Sequence, residues 1–464
     1  MRNRGLLATL ILAACVHVPP RPIDPAESAR KLEQRSLAGA DVQAFIAEHS
    51  GAAAPIARWD LDALTLAAFY FHPDLDVARA EAAVARAAIA TAGERPNPTL
   101  NVGIEHKNGD PKPWITIFGF DLPIETAGKR GLRRSHAEDL ARSADLAVAQ
   151  RAWDVRSAIR AQLVALTAAD ESAAVLRRQR DVQHDVVQAL EKRLEVGAGS
   201  RVELTQARIA ARQTDLLVRD REAQAAQARV RLAAAVGVPR IDGEIVFAPP
   251  LSPKDVADAR ERALVARPDI LGALADYAAA ESDLRQELAK QYPDVHIAPG
   301  FGWDQGVRRW DLGLSATLPI FSRNRGAIGE AEARRALAAA KFEALQAKVI
   351  GAVEEASVRY RDALRKVEEA DNVVALQRQQ VDAARRSFEA GQTDRIALRT
   401  AELELEAAAL ARAEATAQAQ EALGALEDAV GSAGVPPASV GRPARPQSSP
   451  GGTPGERGRD GRTP

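Results

Sequence analysis

The chain has 464 residues, enough for two or three ordinary domains or one elongated architecture. Its 62 basic residues are matched by 63 acidic ones, which argues against a nucleic-acid binder, since such proteins are ordinarily clearly basic. One Cys, one Met and seven His leave no material for a thiolate or thioether metal cage, and 4% aromatics in an Ala-, Glu-, Arg-, Gln- and Leu-rich chain favour long helices over a bulky compact core.

The first residues read as a targeting segment. Arg2 and Arg4 precede a short apolar stretch, Gly5 to Ala14, which at about 10 residues is too short to span a bilayer. It runs into Leu12-Ala13-Ala14-Cys15, which resembles the bacterial lipobox. On this reading residues 1–15 are a lipoprotein signal peptide, and Cys15, the only Cys, becomes the lipid-modified first residue of the mature chain. The other reading is an ordinary cleaved leader with a Cys near its small-residue site. Val16, where an Asp would mark retention at the inner membrane, favours the outer membrane by the same resemblance.

Residues 16–60 read as an extended, Pro-rich start followed by short helices and a connector. An Ala-rich helix is predicted from Leu61 to about Ala92, with Pro73 near its first third, and Pro96-Asn97-Pro98 stops it. From Thr99 to Lys107, Leu100, Val102 and Ile104 alternate with Asn101, Gly103 and Glu105, the period of two expected of a strand. Asn108-Gly109-Asp110-Pro111 makes the turn, and Trp114 to Leu122 the second strand. Gly131 to Val196 contains no Pro and no internal Gly. Val155, Ile159, Leu163, Leu166, Ala173, Leu176, Val187, Leu190 and Leu194 recur at spacings of threes and fours, which predicts a helix of roughly 100 Å. Gly197-Ala198-Gly199-Ser200 breaks it, and a second helix returns from about Val202 to Val236.

After a linker at 237–253 the order repeats. Arg267-Pro268-Asp269-Ile270 matches His72-Pro73-Asp74-Leu75, Pro319 matches Pro123, and Gly391 matches Gly197. Strands are expected at Val295 to Trp303 and Trp310 to Leu318, a long helix from about Ala327 to Ala390, and a returning helix to about Val430. The repeats are therefore 61–236 and 254–430; the Pro-, Gly-, Ser- and Arg-rich stretch 431–464 should be a disordered tail.

Four strands of about nine residues have the length of tilted transmembrane β-strands. Lipid does not tolerate open sheet edges, and four strands cannot close a barrel, so several chains must share one if the strands lie in the membrane. Trp114, Trp303 and Trp310 fall next to the two turns, where an interfacial aromatic belt would lie. The competing reading is two amphipathic hairpins packed on a soluble core. The helices have apolar stripes that need neighbours, and several chains side by side would bury them in a cylinder with a wet interior.

These residues resemble the TolC family of trimeric outer-membrane efflux ducts, in its lipid-anchored heavy-metal (CzcC-like) branch. The resemblance is carried by RPNPTLNVG at Arg95 to Gly103, DLPIETAGKRG at Asp121 to Gly131, TLPIFSRNRG at Thr317 to Gly326, RLEVGAGSRVEL at Arg193 to Leu204 and SFEAGQTDRIAL at Ser387 to Leu398. It implies a mainly α fold with a small membrane β-barrel portion, a duplicated strand–strand–long helix repeat, and a homotrimer with a twelve-stranded barrel above a periplasmic helical barrel. It implies as partners a periplasmic adaptor (membrane fusion protein), an inner-membrane proton-driven resistance-nodulation-division (RND) pump and the outer membrane, with no nucleic acid. The adaptor-facing tips would be Arg193, Val196, Gly197 and Leu204 with Ala390, Gly391 and Leu398. Where the archetype narrows its mouth with two Asp, this chain has Ala397 and Thr400. Any selectivity ring must be built differently, and Glu203 and Asp394 are the candidate pore constriction; the competing reading is a pair of solvated carboxylates at helix N-termini.

No catalytic, cofactor-binding or metal-ligating constellation appears. The seven His are scattered without metal-ligand spacing, and GAGSR at Gly197 lacks the flanking strand and the Lys of a phosphate loop. The expectation is therefore a non-enzymatic duct that conducts passively and takes its energy from a partner. Two other readings remain at this stage. One is a lipid-anchored periplasmic coiled-coil scaffold or adaptor; the other is the duct of a type I protein secretion system.

Overall fold

The computed structural model describes residues 18–51, 55–109, 114–252, 259–304 and 306–431. The lipobox-like segment with Cys15, and the expected tail beyond Gly431, lie outside the described residues.

In chain order the elements are α1 (Pro25–Glu33), α2 (Ala40–Ser50), β1 (Arg58–Trp59), α3 (Leu61–Phe71), α4 (Pro73–Ala92), β2 (Thr99–His106), β3 (Trp114–Ile124), α5 (Lys129–Glu195) and α6 (Arg201–Val236). The second half runs β4 (Glu244–Ile245), α7 (Ala259–Ala266), α8 (Pro268–Ala289), β5 (Val295–Asp304), β6 (Val307–Ala316), α9 (Arg325–Glu389) and α10 (Arg395–Val430). The strand–strand–long helix–returning helix order therefore occurs twice. The single helix expected over Leu61 to Ala92 is two helices. His72 is extended at φ −69°, ψ 123°, as a residue before proline prefers, and Pro73 opens α4 at a position that needs no N–H donor. The same break precedes Pro268 at Arg267.

The helix α5 has 67 residues and α9 has 65, so each is about 100 Å long. Each packs along its length on its own returning helix, and α5 also packs on α8 and α10 of the other repeat. The predicted stripe on α5 is the buried one: Val155, Ile159, Leu163, Leu166, Ala173, Leu176 and Leu190 are buried, while Val187 and Leu194, nearer the tip, are half-buried. Ala at the remaining contact positions of α10 and α6, such as Ala419, Ala422, Ala225 and Ala228, lets these helices approach closely.

Two cores lie midway along the tube. One joins Phe45, Ile46, Leu64, Phe69, Ile159, Leu163 and Leu232; the other joins Ile270, Val353, Tyr360, Leu423 and Leu426. Each fully buried Leu or Ile there contributes about 1.5–3 kcal/mol. The N-terminal connector and the inter-repeat linker, read from the sequence as separate connecting segments, are one structure. Arg58 and Trp59 form a parallel pair with Glu244 and Ile245, the buried Trp59 donates its indole N–H to the Asp242 carbonyl at 2.9 Å, and Gly243, at φ +114°, leaves no room for a Cβ against that ring. Nearby, Arg35 donates to the carbonyls of Phe71 and Gly237, at 2.6 and 3.1 Å, tying α1's exit to both.

A charged clamp joins the repeats between these cores. Arg160 of α5, only 6% exposed, donates to Glu427 at 3.0 Å and to the Gly424 carbonyl at 2.8 Å, and pairs with Asp428 at 2.5 Å. Gly424 has no side chain because a Cβ there would lie 2.7 Å from the Arg160 Nε. Arg160→Ala should therefore lower the unfolding free energy by about 3 kcal/mol, the loss expected when a buried pair keeps only one partner. Gly424→Ala should destabilise by about 1–3 kcal/mol through overpacking against the same guanidinium. Chemical denaturation followed by circular dichroism measures both; a loss below 0.5 kcal/mol, the ordinary surface range, would deny the clamp its structural role.

Candidate functional site

The four long strands form one antiparallel sheet in the order β2-β3-β5-β6. Its register puts Val102 beside Phe118, Phe118 beside Phe301, and Phe301 beside Trp310. Because side chains alternate with period two, that row places Leu100, Ile104, Trp114, Phe120, Leu122, Ile297, Trp303, Leu312 and Leu314 on the same face. Most of these side chains are exposed; Trp310 is 80% accessible. A large contiguous apolar face open to solvent is exceptional in a soluble protein and expected of a sheet against lipid.

The opposite face is mostly small or polar, with Asn101, Gly103, Gly119, Asp121, His296, Ala298, Gly300, Asp311, Gly313 and Ser315, and its large apolar residues, Ile115, Ile117 and Val307, lie at the turn end of the sheet. His296 Nδ1 lies 3.0 Å from Asp121, and the Asp311 carboxylate occupies the space where Gly300 would carry a Cβ. Among the described residues no group of three or more His, Cys, Asp or Glu could hold a metal ion. The hairpin β5–β6 is tighter than expected, with strands running to Asp304 and restarting at Val307. Consequently Trp114 and Trp303 do sit at the turn ends, but Trp310 lies further in, opposite Phe301. Leu318 falls beyond β6.

The passage from sheet to tube takes the same form twice. Two consecutive left-handed residues precede each long helix: Ala127 (φ 54°) with Gly128 (φ 70°), and Arg323 (φ 44°) with Asn324 (φ 56°). The matched prolines do not make these turns, since Pro123 is still within β3 and Pro319 precedes the second turn by four residues. Left-handed backbone is costly for non-glycine residues and persists only when neighbours hold it. Here they do. Thr126 donates its N–H to Asp294 at 2.9 Å and its hydroxyl to the Pro293 carbonyl at 2.7 Å, and Lys129 reaches Tyr292 and Asp294. In the second copy Asn324 donates to the carbonyl and the carboxylate of Glu287, which also pairs with Lys290 at 2.5 Å.

Burial opposes ionisation of Asp294 and Glu287, but Lys129 with the Thr126 N–H, and Lys290 with Asn324, outweigh it and hold both carboxyls below their ordinary range. A lowered folded pKa gives stability that is present above the ordinary carboxylate range and is lost as pH falls through the lowered values. Thermal stability should thus stay level from pH 7 to about 5 and fall below it. Asp294→Asn combined with Glu287→Gln should flatten that acid limb in a melting series, whereas an unchanged limb would place the acid sensitivity elsewhere.

At the far ends both tips close with the same cap. Ala198 N–H bonds to the Arg193 carbonyl at 2.8 Å, and Gln392 N–H bonds to that of Ser387 at 2.9 Å, with Gly197 and Gly391 left-handed at φ 72° and 70°. Gly199 packs so tightly that a Cβ would meet the Leu194 backbone nitrogen at 2.8 Å. Of the predicted tip residues, Val196 and Ala390 are the exposed C-caps, Arg193 stands in the last turn of α5, and Leu204 and Leu398 are buried at the starts of α6 and α10. The two tips are joined directly, because Arg193 pairs with Asp394 at 3.3 Å. Asp394 is also the N-cap of α10, accepting from Ala397 N–H at 2.8 Å, whereas Glu203 is exposed in the first turn of α6. Sequence reading missed the charges behind this pair: Arg399 binds Asp185 of α5 at 2.5 Å and contacts Glu402, which Arg385 also approaches. Arg399 and Asp185 stand over 200 positions apart, so no local pattern could have exposed that pair, whereas Arg399 and Glu402 are one helical turn apart.

A sheet with one broad exposed apolar face, leading through paired turns into a long helical tube, is the form of an outer-membrane channel. The sequence model of the family described as Outer membrane efflux protein matches residues 71–238 and 259–432, one match per repeat, and the chain belongs to that family. It is 26% identical over 239 residues to the cobalt-zinc-cadmium resistance protein CzcC of Cupriavidus metallidurans; that match covers 50% of this chain and 56% of the relative, so the chain spans about half the length of that protein. Among solved structures, CusC superposes with a TM-score of 0.68 at 17% identity, over 80% of this chain and 92% of that one. VceC from Vibrio cholerae superposes with a TM-score of 0.65 at 19% identity, over 80% and 96%. At such identities the likeness is one of fold. The family conducts solutes and performs no catalysis.

Proposed function

We propose that three copies of this chain form a homotrimeric duct, anchored by lipid at Cys15, which passes heavy-metal cations or toxic small molecules from an inner-membrane RND pump and its periplasmic adaptor to the cell exterior. One observation carries this reading: the sheet has a continuous apolar face, and its edge strands β2 and β6 have no second partner among the described residues. In lipid every backbone N–H and C=O must be satisfied, so such edges require pairing with further copies. Twelve strands close a barrel whose inner wall carries Asp121, His296, Asp311 and Ser315.

No helix among the described residues is long and apolar enough to cross a membrane. The metal substrate rests on the resemblance to CzcC. The tips, with their paired Gly caps, present the surface for the adaptor. Asp394 and Glu203 stand there as the acidic groups of the mouth, with Asp394 already engaged by Arg193.

Two measurements test this. In outer-membrane preparations the protein should resist carbonate extraction and run as a heat-sensitive oligomer; release by the wash would defeat the duct. Phe118→Arg, on the apolar face, should cost about 2–4 kcal/mol and abolish that oligomer, whereas Ser315→Arg, on the polar face, should leave it intact and lower cation conductance in planar bilayers. Equal effects from both would remove the assignment of inside and outside. At the mouth, Asp394→Ala should cost about 1 kcal/mol through the lost N-cap. If the carboxylate also sets selectivity, the same variant reduces the cation preference of single channels, and an unaltered reversal potential assigns Asp394 to capping alone.

A further inference from the structure

A cavity of about 550 Å³ lies where the apolar sheet face meets the tube, lined by Arg95, Pro96, Leu122, Pro123, Ile124, Glu125 and Arg130. Leu122 and Ile124 are the last exposed apolar residues of β3 on the lipid-facing side. Two of the nearby acids are already neutralised, while Glu94, next to Arg95, is exposed to solvent. Both oxygens of Glu125 are held by Arg133, and Asp294 is held by Lys129. Two guanidiniums are left over. Arg95 is exposed and has no hydrogen bond or ion pair among the described residues, while Arg130 uses only its Nε, on the Gly93 carbonyl. An apolar wall below and two uncommitted guanidinium forks above have the chemistry of a phosphate monoanion carried on acyl chains.

The second repeat has the same composition at its own junction. Lys290 and Arg325 stand at the positions of Arg95 and Arg130, and the exposed Leu318 and Ile320 stand at those of Leu122 and Ile124. There, however, Lys290 is already paired with Glu287, so of the two junctions only the first leaves its cations free for an anion.

The geometry points to a binding site for an anionic glycerophospholipid of the periplasmic leaflet, with its phosphate on Arg95 and Arg130 and its acyl chains against Leu122 and Ile124. The site rests on the outer-membrane reading above and adds a named lipid contact to it. Zwitterionic lipid fits less well, because its ammonium would face the surplus positive charge. Bound there, the lipid fixes the height of the sheet in the bilayer at the start of α5.

The test uses the full-length oligomer purified in detergent and delipidated. It is titrated with phosphatidylglycerol, phosphatidylethanolamine or inorganic phosphate, with bound lipid counted by native mass spectrometry and stability followed by thermal denaturation. Phosphatidylglycerol should bind and raise the melting temperature. Arg95→Gln with Arg130→Gln should bind it roughly thirtyfold more weakly, the loss of two cation contributions at a lipid surface. Arg86→Gln, which removes an ion pair to Asp145 on the tube, should bind it as the parent does. If the double variant does not assemble, Arg95→Gln alone decides, since that side chain has no internal partner to lose. Equal binding by the variants, or equal protection by phosphatidylethanolamine or by inorganic phosphate, overturns the site. A protein that stays in carbonate-washed membranes yet shows no such preference defeats only the headgroup site, whereas one released by the wash defeats the outer-membrane reading as well.

Discussion

The rest of the structure depends on backbone hydrogen bonding at the edges of a four-stranded sheet. Strands β3 and β5 are satisfied on both sides, while β2 and β6 each keep one open edge. In water such edges would be solvated; against lipid they are costly, and the apolar face shows that lipid is what this sheet meets. A chain that spends so few residues in the membrane cannot close on itself. In the proposed trimer one operation that pairs the strands would also bring the tubes together and cover exposed helix residues such as Ile209, Leu216 and Leu376.

The second constraint is the change of direction beneath the sheet. Tilted strands must become near-axial helices within a few residues, and the chain makes this turn with a left-handed pair in each repeat. Only one of those four residues is glycine, so the conformation is held from outside, by Asp294 on Thr126 and Lys129 in the first copy and by Glu287 on Asn324 in the second. The two junctions are not chemical copies, although they have the same backbone. Duplication preserved the path of the chain while the hydrogen-bonding groups that hold it diverged.

Lower down, the tube is stiff where it is braced across repeats. Arg160 crosses from α5 to α10 beside two aliphatic cores, and near the tips Arg399 repeats the pattern with Asp185. Between cores and tips a thinner line of buried aliphatic residues, Leu176, Leu190, Val218, Val374 and Val381 among them, is joined by exposed ion pairs, each of the latter worth little. The fold therefore places its strongest anchoring at mid-tube and leaves the tips held by caps and charge pairs.

Much of this was legible in the sequence. Period-two alternation over Leu100, Val102 and Ile104 defined a strand, the stripe from Val155 to Leu190 defined a long helix, and the matched prolines and glycines defined a duplication, because each is a local pattern read along the chain. Tertiary structure alone decided the rest. It paired the N-terminal Trp59 with the linker at Ile245, placed the turns at Ala127–Gly128 and Arg323–Asn324, and joined Arg193 to Asp394 and Arg160 to Gly424. Those contacts join residues from 186 to 264 positions apart, or rest on backbone angles that several neighbours enforce together, and no periodicity along a single element encodes them.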